Sequence, residues 1–128
     1  MTGKRTTRAR KNLGESGERV AALYLQQHGY KILARGFRTR TGEIDLITRD
    51  ADGLAFVEVR TRRGDALGSP EESLTPHKRH KLLTVSQQFL SAHSEYGDCA
   101  WRIDFVAIQL DPTGKIERMD LIKGAVEG

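Results

Sequence analysis

Cysteine is nearly absent from this sequence, and so are long apolar runs. Cys99 is the only cysteine among 128 residues, which excludes an internal disulfide and favours a reducing compartment. No apolar run approaches the roughly 20 residues that span a membrane, and the first residues do not form an apolar signal segment. We therefore expect a cytoplasmic protein without a membrane partner.

Basic residues are abundant and unevenly distributed. The chain has 21 Lys and Arg against 17 Asp and Glu, a net charge of +4 and a pI near 9.5. This balance favours polyanionic partners such as nucleic acid, although a solvated surface is the alternative. Its length suits one domain with a hydrophobic core. We predict a disordered basic arm over residues 1–11 and a single domain over residues 12–128.

Periodicity and capping signals predict two helices and five strands. The first helix runs from Asn12 to His28, and the second runs from a Thr75 cap to Ala92. The predicted strands lie near residues 30–34, 42–49, 54–61, 101–110 and 116–122. The second helix is a crossover that makes the fourth strand parallel to the third. The prediction is an α/β domain of order αβββαββ, with a mixed five-stranded sheet flanked by two helices.

The stretch GEIDLITRDADGLAFVEVR, residues 42–60, has acids in the middle of two strands. A turn over residues 50–53 puts Asp45 opposite Glu58 and Glu43 opposite Arg60, with Ile44 and Leu46 on the other, apolar side. Facing carboxylates about 5 Å apart repel each other. A divalent cation such as Mg²⁺ would balance these charges. The alternative is a surface hairpin in which Arg60 pairs with the glutamates.

Several motifs together resemble the YraN-like family of largely uncharacterised bacterial proteins. They are GExxA from Gly17 to Ala21, Gly29-Tyr30, GEIDLI, FVEVR and RIDFVAI, and they extend over about residues 12–110. That family is assigned by similarity to the restriction-endonuclease-like fold, PD-(D/E)xK, close to Holliday-junction resolvases. The resemblance therefore implies a three-layer nuclease fold, Mg²⁺ or Mn²⁺ as cofactor, DNA as partner and a homodimer.

The resemblance also implies site residues. Asp45 and Glu58 match the two metal-binding acids of the nuclease signature. Glu18 matches an acid that the first helix contributes to the metal site in resolvases, where it would hold a metal-bound water or a second ion. Arg60 stands where the signature has lysine. A guanidinium does not deprotonate and is no equivalent of an ammonium. Lys78 is the candidate substitute, because it lies on the same face of the predicted second helix as Leu82 and would therefore face the sheet. The alternative is a side chain that extends into solvent.

Three hypotheses about function follow, and the last is an interaction domain whose acidic hairpin is purely structural. The first is a metal-dependent endonuclease that hydrolyses phosphodiesters in DNA, branched DNA included. The second is a nucleic-acid-binding relative that has lost turnover, for which Arg60 at the lysine position is the argument. In the first two, basic residues outside the arm contact nucleic acid. These residues are Arg38, Arg40, Arg62, Arg63, Lys78, Arg79 and Lys81.

Three further positions are weaker candidates. His77 and His80 are three residues apart on a helix, a spacing that could share a metal, but they lie off its apolar stripe, which favours solvated or phosphate-contacting side chains. Asp104 in RIDFVAI either supports the site or pairs with a base, and we favour the base. Cys99 is expected to pack in a loop.

Overall fold

The chain is described by a computed structural model that covers residues 2–66 and 68–126, with side chains from Leu13 onward. The predicted order of helices and strands is confirmed. The elements are α1 Thr2–Gln27, β1 Lys31–Arg38, β2 Glu43–Asp50, β3 Gly53–Arg63, α2 Pro76–Ala92, β4 Trp101–Leu110 and β5 Ile116–Val126. Two short 3₁₀ turns, Pro70–Ser73 and Ser94–Tyr96, flank α2. None of the described helices is both long and apolar enough to cross a membrane.

The five strands form one mixed sheet in the order β1-β2-β3-β4-β5. β3 and β4 are parallel, as the α2 crossover requires, and all other neighbours are antiparallel. One helix covers each face, so the domain has three layers. Gly17 and Ala21 of α1 are buried against one face, and Leu82, Val85 and Phe89 of α2 are buried against the other.

The predicted register of the β2–β3 hairpin is confirmed near its turn. Leu46 pairs with Val57, Ile47 with Phe56, and Asp50 with Gly53. Pairing ends at Leu46, however, so Asp45 and Glu58 are not a backbone pair. Glu43 is also not opposite Arg60. It has no backbone partner in β3 and pairs with Arg38 of β1. The hairpin therefore separates at the acids.

The assignment of hairpin side chains to faces needs a correction. Leu46 packs towards α1 as predicted, but Ile44 packs with Ile47 and Phe56 towards α2. Strict alternation would put Ile44 and Leu46 on one face, so the alternation breaks at Asp45. Glu58 lies on the α2 side with this second hydrophobic core, where it meets Lys78, rather than in open solvent.

The first helix begins ten residues earlier than predicted. It starts at Thr2, so Asn12 lies inside the helix instead of capping it, and the backbone of most of the predicted arm is helical. Lys and Arg, which make up five of residues 2–11, are good helix formers, and Asn12 is only a single capping signal. The division into an arm and a domain over residues 12–128 stays a prediction.

Candidate functional site

The candidate site lies where β2 and β3 separate. The Val59 N–H no longer bonds to the backbone of β2 and instead donates to Asp45 Oδ2 at 2.8 Å. This bond holds the Asp45 carboxylate against Glu58, the residue before Val59. Burial, the charge of Glu58 and a hydrogen bond with it together raise the pKa of Asp45 to about 9, while the Val59 N–H acts in the opposite direction.

Glu18 reaches this pair from α1. A Cβ at Gly17 would lie only 2.1 Å from Thr61 Oγ1, so glycine is what allows α1 to approach β3 this closely. The half-buried Glu18 lies beside Asp45, and burial is the main cause of its raised pKa. The GE pair of the GExxA motif thus combines a close helix–strand contact with an acid at the site.

Glu58 is the most deeply buried acid here, with 2% of its surface exposed. Lys78 Nζ lies 3.1 Å from Glu58 Oε2, and Arg60 Nε lies 3.3 Å from the same oxygen. Neither approach has the geometry of a hydrogen bond, so Glu58 Oε2 and Arg60 Nε remain without hydrogen-bond partners. The prediction that Lys78 faces the sheet is confirmed. Its amine reaches Glu58 from α2.

The donor set suits a hard divalent cation with few protein ligands. Carboxylate oxygens from Asp45 and Glu58 are the ligands that Mg²⁺ prefers, and Mg²⁺ often takes one or two carboxylates and completes its shell with water and phosphate oxygens. The orphaned Glu58 Oε2 fits this role. No cluster of three or more Asp, Glu, His or Cys in the described ranges forms a ready ligand set. The pair therefore fits Mg²⁺ or Mn²⁺ as a two-carboxylate site, with Glu18 behind Asp45.

The predicted basic residues have different local environments. Arg62 and Arg63 follow the site along β3 and line a groove of about 570 Å³. Arg38 pairs with Glu43 at 2.9 Å, and Arg40 is exposed in the loop before β2. Arg79 is tied by Nε to the Leu74 carbonyl at 3.2 Å. Lys81 is partly buried in α2, close to the β1–β2 loop at Gly42.

The weaker candidates lie outside the site. His77 and His80 are both exposed on α2. Asp104 is fully buried and pairs with Arg102 at 3.0 Å, which confirms the favoured prediction of a base partner. Cys99 is partly buried against the α2 side of the core, as expected of a packing residue.

Sequence reasoning missed a buried network around Arg102. Its guanidinium donates to Asp50 at 2.7 Å, to both oxygens of Asp104 and to the Tyr30 hydroxyl oxygen at 3.0 Å. Tyr30 in turn donates to Asp104 at 3.1 Å. We call Tyr30, Asp50, Arg102 and Asp104 the Arg102 cluster. Only the alternation of Arg102 and Asp104 onto one side of β4 signalled it in the sequence.

Fold and site together define an α/β domain with a carboxylate pair at a split between two strands. Comparison with known proteins gives the family. Residues 17–108, which contain every motif discussed above, match the model described as Uncharacterised protein family UPF0102. The chain belongs to this family, which confirms the YraN-like resemblance.

Relatives match over nearly the whole chain. A UPF0102 protein of Roseiflexus castenholzii is 43% identical over 127 residues, 99% of this chain and 98% of the relative. One from Herpetosiphon aurantiacus is 50% identical over 105 residues, 79% of this chain and 84% of the relative. One from Desulforamulus reducens is 41% identical over 118 residues, 91% of this chain and 97% of the relative.

Proposed function

We propose that this protein is a metal-dependent endonuclease of the restriction-endonuclease-like fold that hydrolyses phosphodiesters in DNA, branched DNA included. One observation carries the proposal. Asp45 and Glu58 meet at the split between β2 and β3, and the amine of Lys78 lies 3.1 Å from Glu58. Two acids and a lysine are the elements of the nuclease signature, here contributed by two strands and a helix.

In this proposal Asp45 and Glu58 hold Mg²⁺ or Mn²⁺, and Glu18 holds a water through its contact with Asp45. When bound, such an ion neutralises charge on the phosphate and lowers the pKa of a bound water. The raised pKa of Asp45 supports the assignment, because a cation at this point would remove the repulsion between the carboxylates. A purely structural pair would be expected to have its own counter-charge in hydrogen-bonding geometry.

Lys78 rather than Arg60 takes the role of the signature lysine. An ammonium is a compact charge with three rotatable donors, which suits it to orient the attacking water and to stabilise the developing negative charge. Arg60 is 39% exposed at its side chain, against 26% for Lys78, and its fork-shaped guanidinium suits contact with phosphate oxygens. Both residues share Glu58, so the two roles are adjacent in space.

Cleavage assays with and without Mg²⁺ or Mn²⁺ test the proposal on branched, single-stranded and duplex substrates. We expect Glu58→Ala, Asp45→Asn and Lys78→Met each to reduce the rate by roughly 10²-fold or more, because the first two weaken the metal site and the third removes the ammonium that stabilises the developing negative charge. Arg60→Lys should retain activity. Asp98→Asn, which alters an exposed acid, is the matched control. Metal-independent cleavage, or full activity of Glu58→Ala, would refute the proposal.

A second measurement does not depend on turnover. Mn²⁺ should broaden the NMR signals of the amides around Asp45 and Glu58, and Asp45→Ala should abolish the broadening. Broadening confined to His77 and His80 would place the metal elsewhere.

The second candidate is a nucleic-acid-binding relative without turnover, and Arg60 at the lysine position favours it. Binding at low salt without cleavage of any substrate would support this candidate. Absence of binding at low salt would remove both candidates, because phosphate contacts are strongest there. The resemblance to resolvases adds a homodimer to the first candidate, which light scattering tests directly.

A further inference from the structure

Buried polar groups without partners are concentrated on one stretch of β3. Within the described residues, four buried side-chain atoms have no hydrogen-bond partner, and they belong to Glu58, Arg60, Thr61 and Arg62. The first two belong to the site above. Thr61 Oγ1 and Arg62 Nε lie beyond it, towards the end of the strand. Buried donors are rarely left without an acceptor, so each such group needs an explanation.

These two groups adjoin a groove between β3 and the part of α1 around Leu13 and Gly14. Residues 59–63 form one wall of the groove of about 570 Å³, and Leu13 and Gly14 of α1 form the other. Thr61, Arg62 and Arg63 are thus among the residues that line the groove, and no acidic residue of the described ranges is among them. In the described part of the chain, neither Arg62 nor Arg63 takes part in an ion pair.

The wall of arginines is held in place by contacts from β4 and the turn after it. Gln109 Nε2 donates to the carbonyls of Arg62 at 3.4 Å and Gly64 at 2.6 Å, which fixes the end of β3. Arg63 Nε donates to the Pro112 carbonyl at 2.9 Å, which orients its guanidinium and leaves its terminal nitrogens available. A fixed arrangement of donors lowers the entropic cost of binding an anion.

The groove continues the proposed active site along the same strand. Glu58 and Arg62 are four residues apart, which is about 13 Å along a β-strand. The sequence at the start of α1 is also basic, with five Lys or Arg among residues 2–12. Guanidinium groups bind phosphate in a bidentate manner. We propose that this groove is a second phosphate subsite, which binds a non-scissile phosphodiester of the same nucleic-acid strand through Arg62 and Arg63. This inference rests on the proposed function for its substrate class.

Binding of a single-stranded 15-nucleotide DNA in the presence of EDTA tests the subsite without any turnover. We expect Arg62→Gln to weaken binding about five- to tenfold and to reduce the slope of log affinity against log salt by about 0.7, the value for one phosphate contact on a single strand. Arg49→Gln is the matched control, because the exposed Arg49 lies opposite Leu54 at the far end of the hairpin. Equal behaviour of the two variants would overturn the subsite.

A second pair of variants changes no charge. A Cβ at Gly14 would meet no atom within 4 Å, so side chains can be added there without a clash. Gly14→Leu should partly fill the groove and weaken binding, whereas Gly14→Ala should bind as the wild type does. Thermal unfolding confirms that each variant is folded. Wild-type affinity of Gly14→Leu, together with an unchanged salt slope of Arg62→Gln, would refute the proposal.

The result is separable from the test of catalysis. If the wild type never cleaves but Arg62→Gln still lowers the affinity and the salt slope, hydrolysis is refuted and the subsite stands. If the wild type cleaves, and Arg62→Gln has the affinity and the salt dependence of the wild type, the subsite is refuted and hydrolysis stands. A wild type that does not bind the oligonucleotide at low salt overturns the subsite as well.

Discussion

Two groups of buried and half-buried acids lie on or against this sheet, and they differ in how many hydrogen-bond donors they have. In the Arg102 cluster, Arg102 reaches Asp50 and Asp104 at 2.7–3.3 Å, and Asp104 also accepts from Tyr30 and from the Gly124 N–H at 2.9 Å. Hydrogen bonding to Arg102 lowers the pKa of Asp50, and Asp50 and Asp104 together raise that of Arg102. Asp50 is held ionised by its own partners.

At the carboxylate site, which consists of Glu18, Asp45 and Glu58, the acids are less well supplied with hydrogen-bond donors. Burial raises the pKa values of Asp45 and Glu18, and Glu58 Oε2 has charges nearby but no hydrogen-bond partner. Burial alone therefore does not separate a structural acid from a functional one. The number of hydrogen-bond donors that the fold directs at each carboxylate distinguishes them, because a buried carboxylate without donors can still accept a ligand.

The largest expected effect on the free energy of unfolding comes from the Arg102 cluster. Arg102→Leu would leave Asp50 and Asp104 without their main partner, so we expect the free energy of unfolding to fall by about 3–5 kcal/mol. Urea denaturation at pH 7 measures it. Arg118→Leu, which removes a more exposed arginine paired with Glu71 and Asp120, should cost less than about 1 kcal/mol. Similar losses in the two variants would mean that the Arg102 cluster is not stabilised as its contacts indicate.

The pH dependence of stability should differ in sign between the two groups. Asp45 has a raised pKa in the folded state, so its stabilising effect is present below its unfolded value near 4 and is lost as the pH rises towards about 9. Asp45→Asn imitates the protonated acid. In EDTA, its stability relative to the wild type should therefore rise with pH, by about 2–3 kcal/mol in total once sharing of charge with Glu58 is allowed for.

Asp50 provides the opposite case. Its pKa is lowered, so its contribution is present above its unfolded value and is lost as the pH falls through the folded value. Asp50→Asn should therefore cost stability at pH 7 and less at pH 3. Parallel pH profiles for Asp45→Asn and Asp50→Asn would contradict the contrast between the two groups.

Regular periodicity allowed much of this architecture to be predicted. The register from Leu46 to Asp50 follows from side-chain alternation and the short turn, and the Thr75 cap with Pro76 fixes where α2 begins, so the direction of Lys78 was predictable. The separation of the strands at Asp45 was not, because it depends on a side chain that replaces a backbone partner. Nothing in the local pattern distinguishes such a bond from a continued ladder.

The Arg102 cluster was out of reach for a different reason. Tyr30, Asp50 and Arg102 come from three distant points of the chain, and each has an ordinary local explanation as a core residue, a turn residue or a surface charge. Only the sheet order brings them together. The same holds for Glu43, whose partner Arg38 comes from the edge strand rather than from the hairpin.

Divalent metal should act on the carboxylate site and leave the Arg102 cluster unchanged. If Asp45 and Glu58 bind Mg²⁺ in the folded state only, the wild type should gain about 2 kcal/mol at a concentration well above the dissociation constant. Asp45→Asn should gain nothing, and Asp50→Asn should gain as much as the wild type. Urea denaturation at pH 8 with Mg²⁺ or EDTA provides the comparison. Equal gains in all three proteins would assign the effect to non-specific binding.

The smallest effect concerns the two cations that share Glu58. Arg60→Lys keeps a positive charge at a side chain that is 39% exposed, so we expect stability to change by less than about 0.5 kcal/mol. Lys78→Gln removes the less exposed and closer partner of a carboxylate that is 2% exposed, and it should cost about 1 kcal/mol more. Urea denaturation in EDTA at pH 7 ranks the two variants. The reverse ranking would make Arg60, rather than Lys78, the principal counter-ion of Glu58.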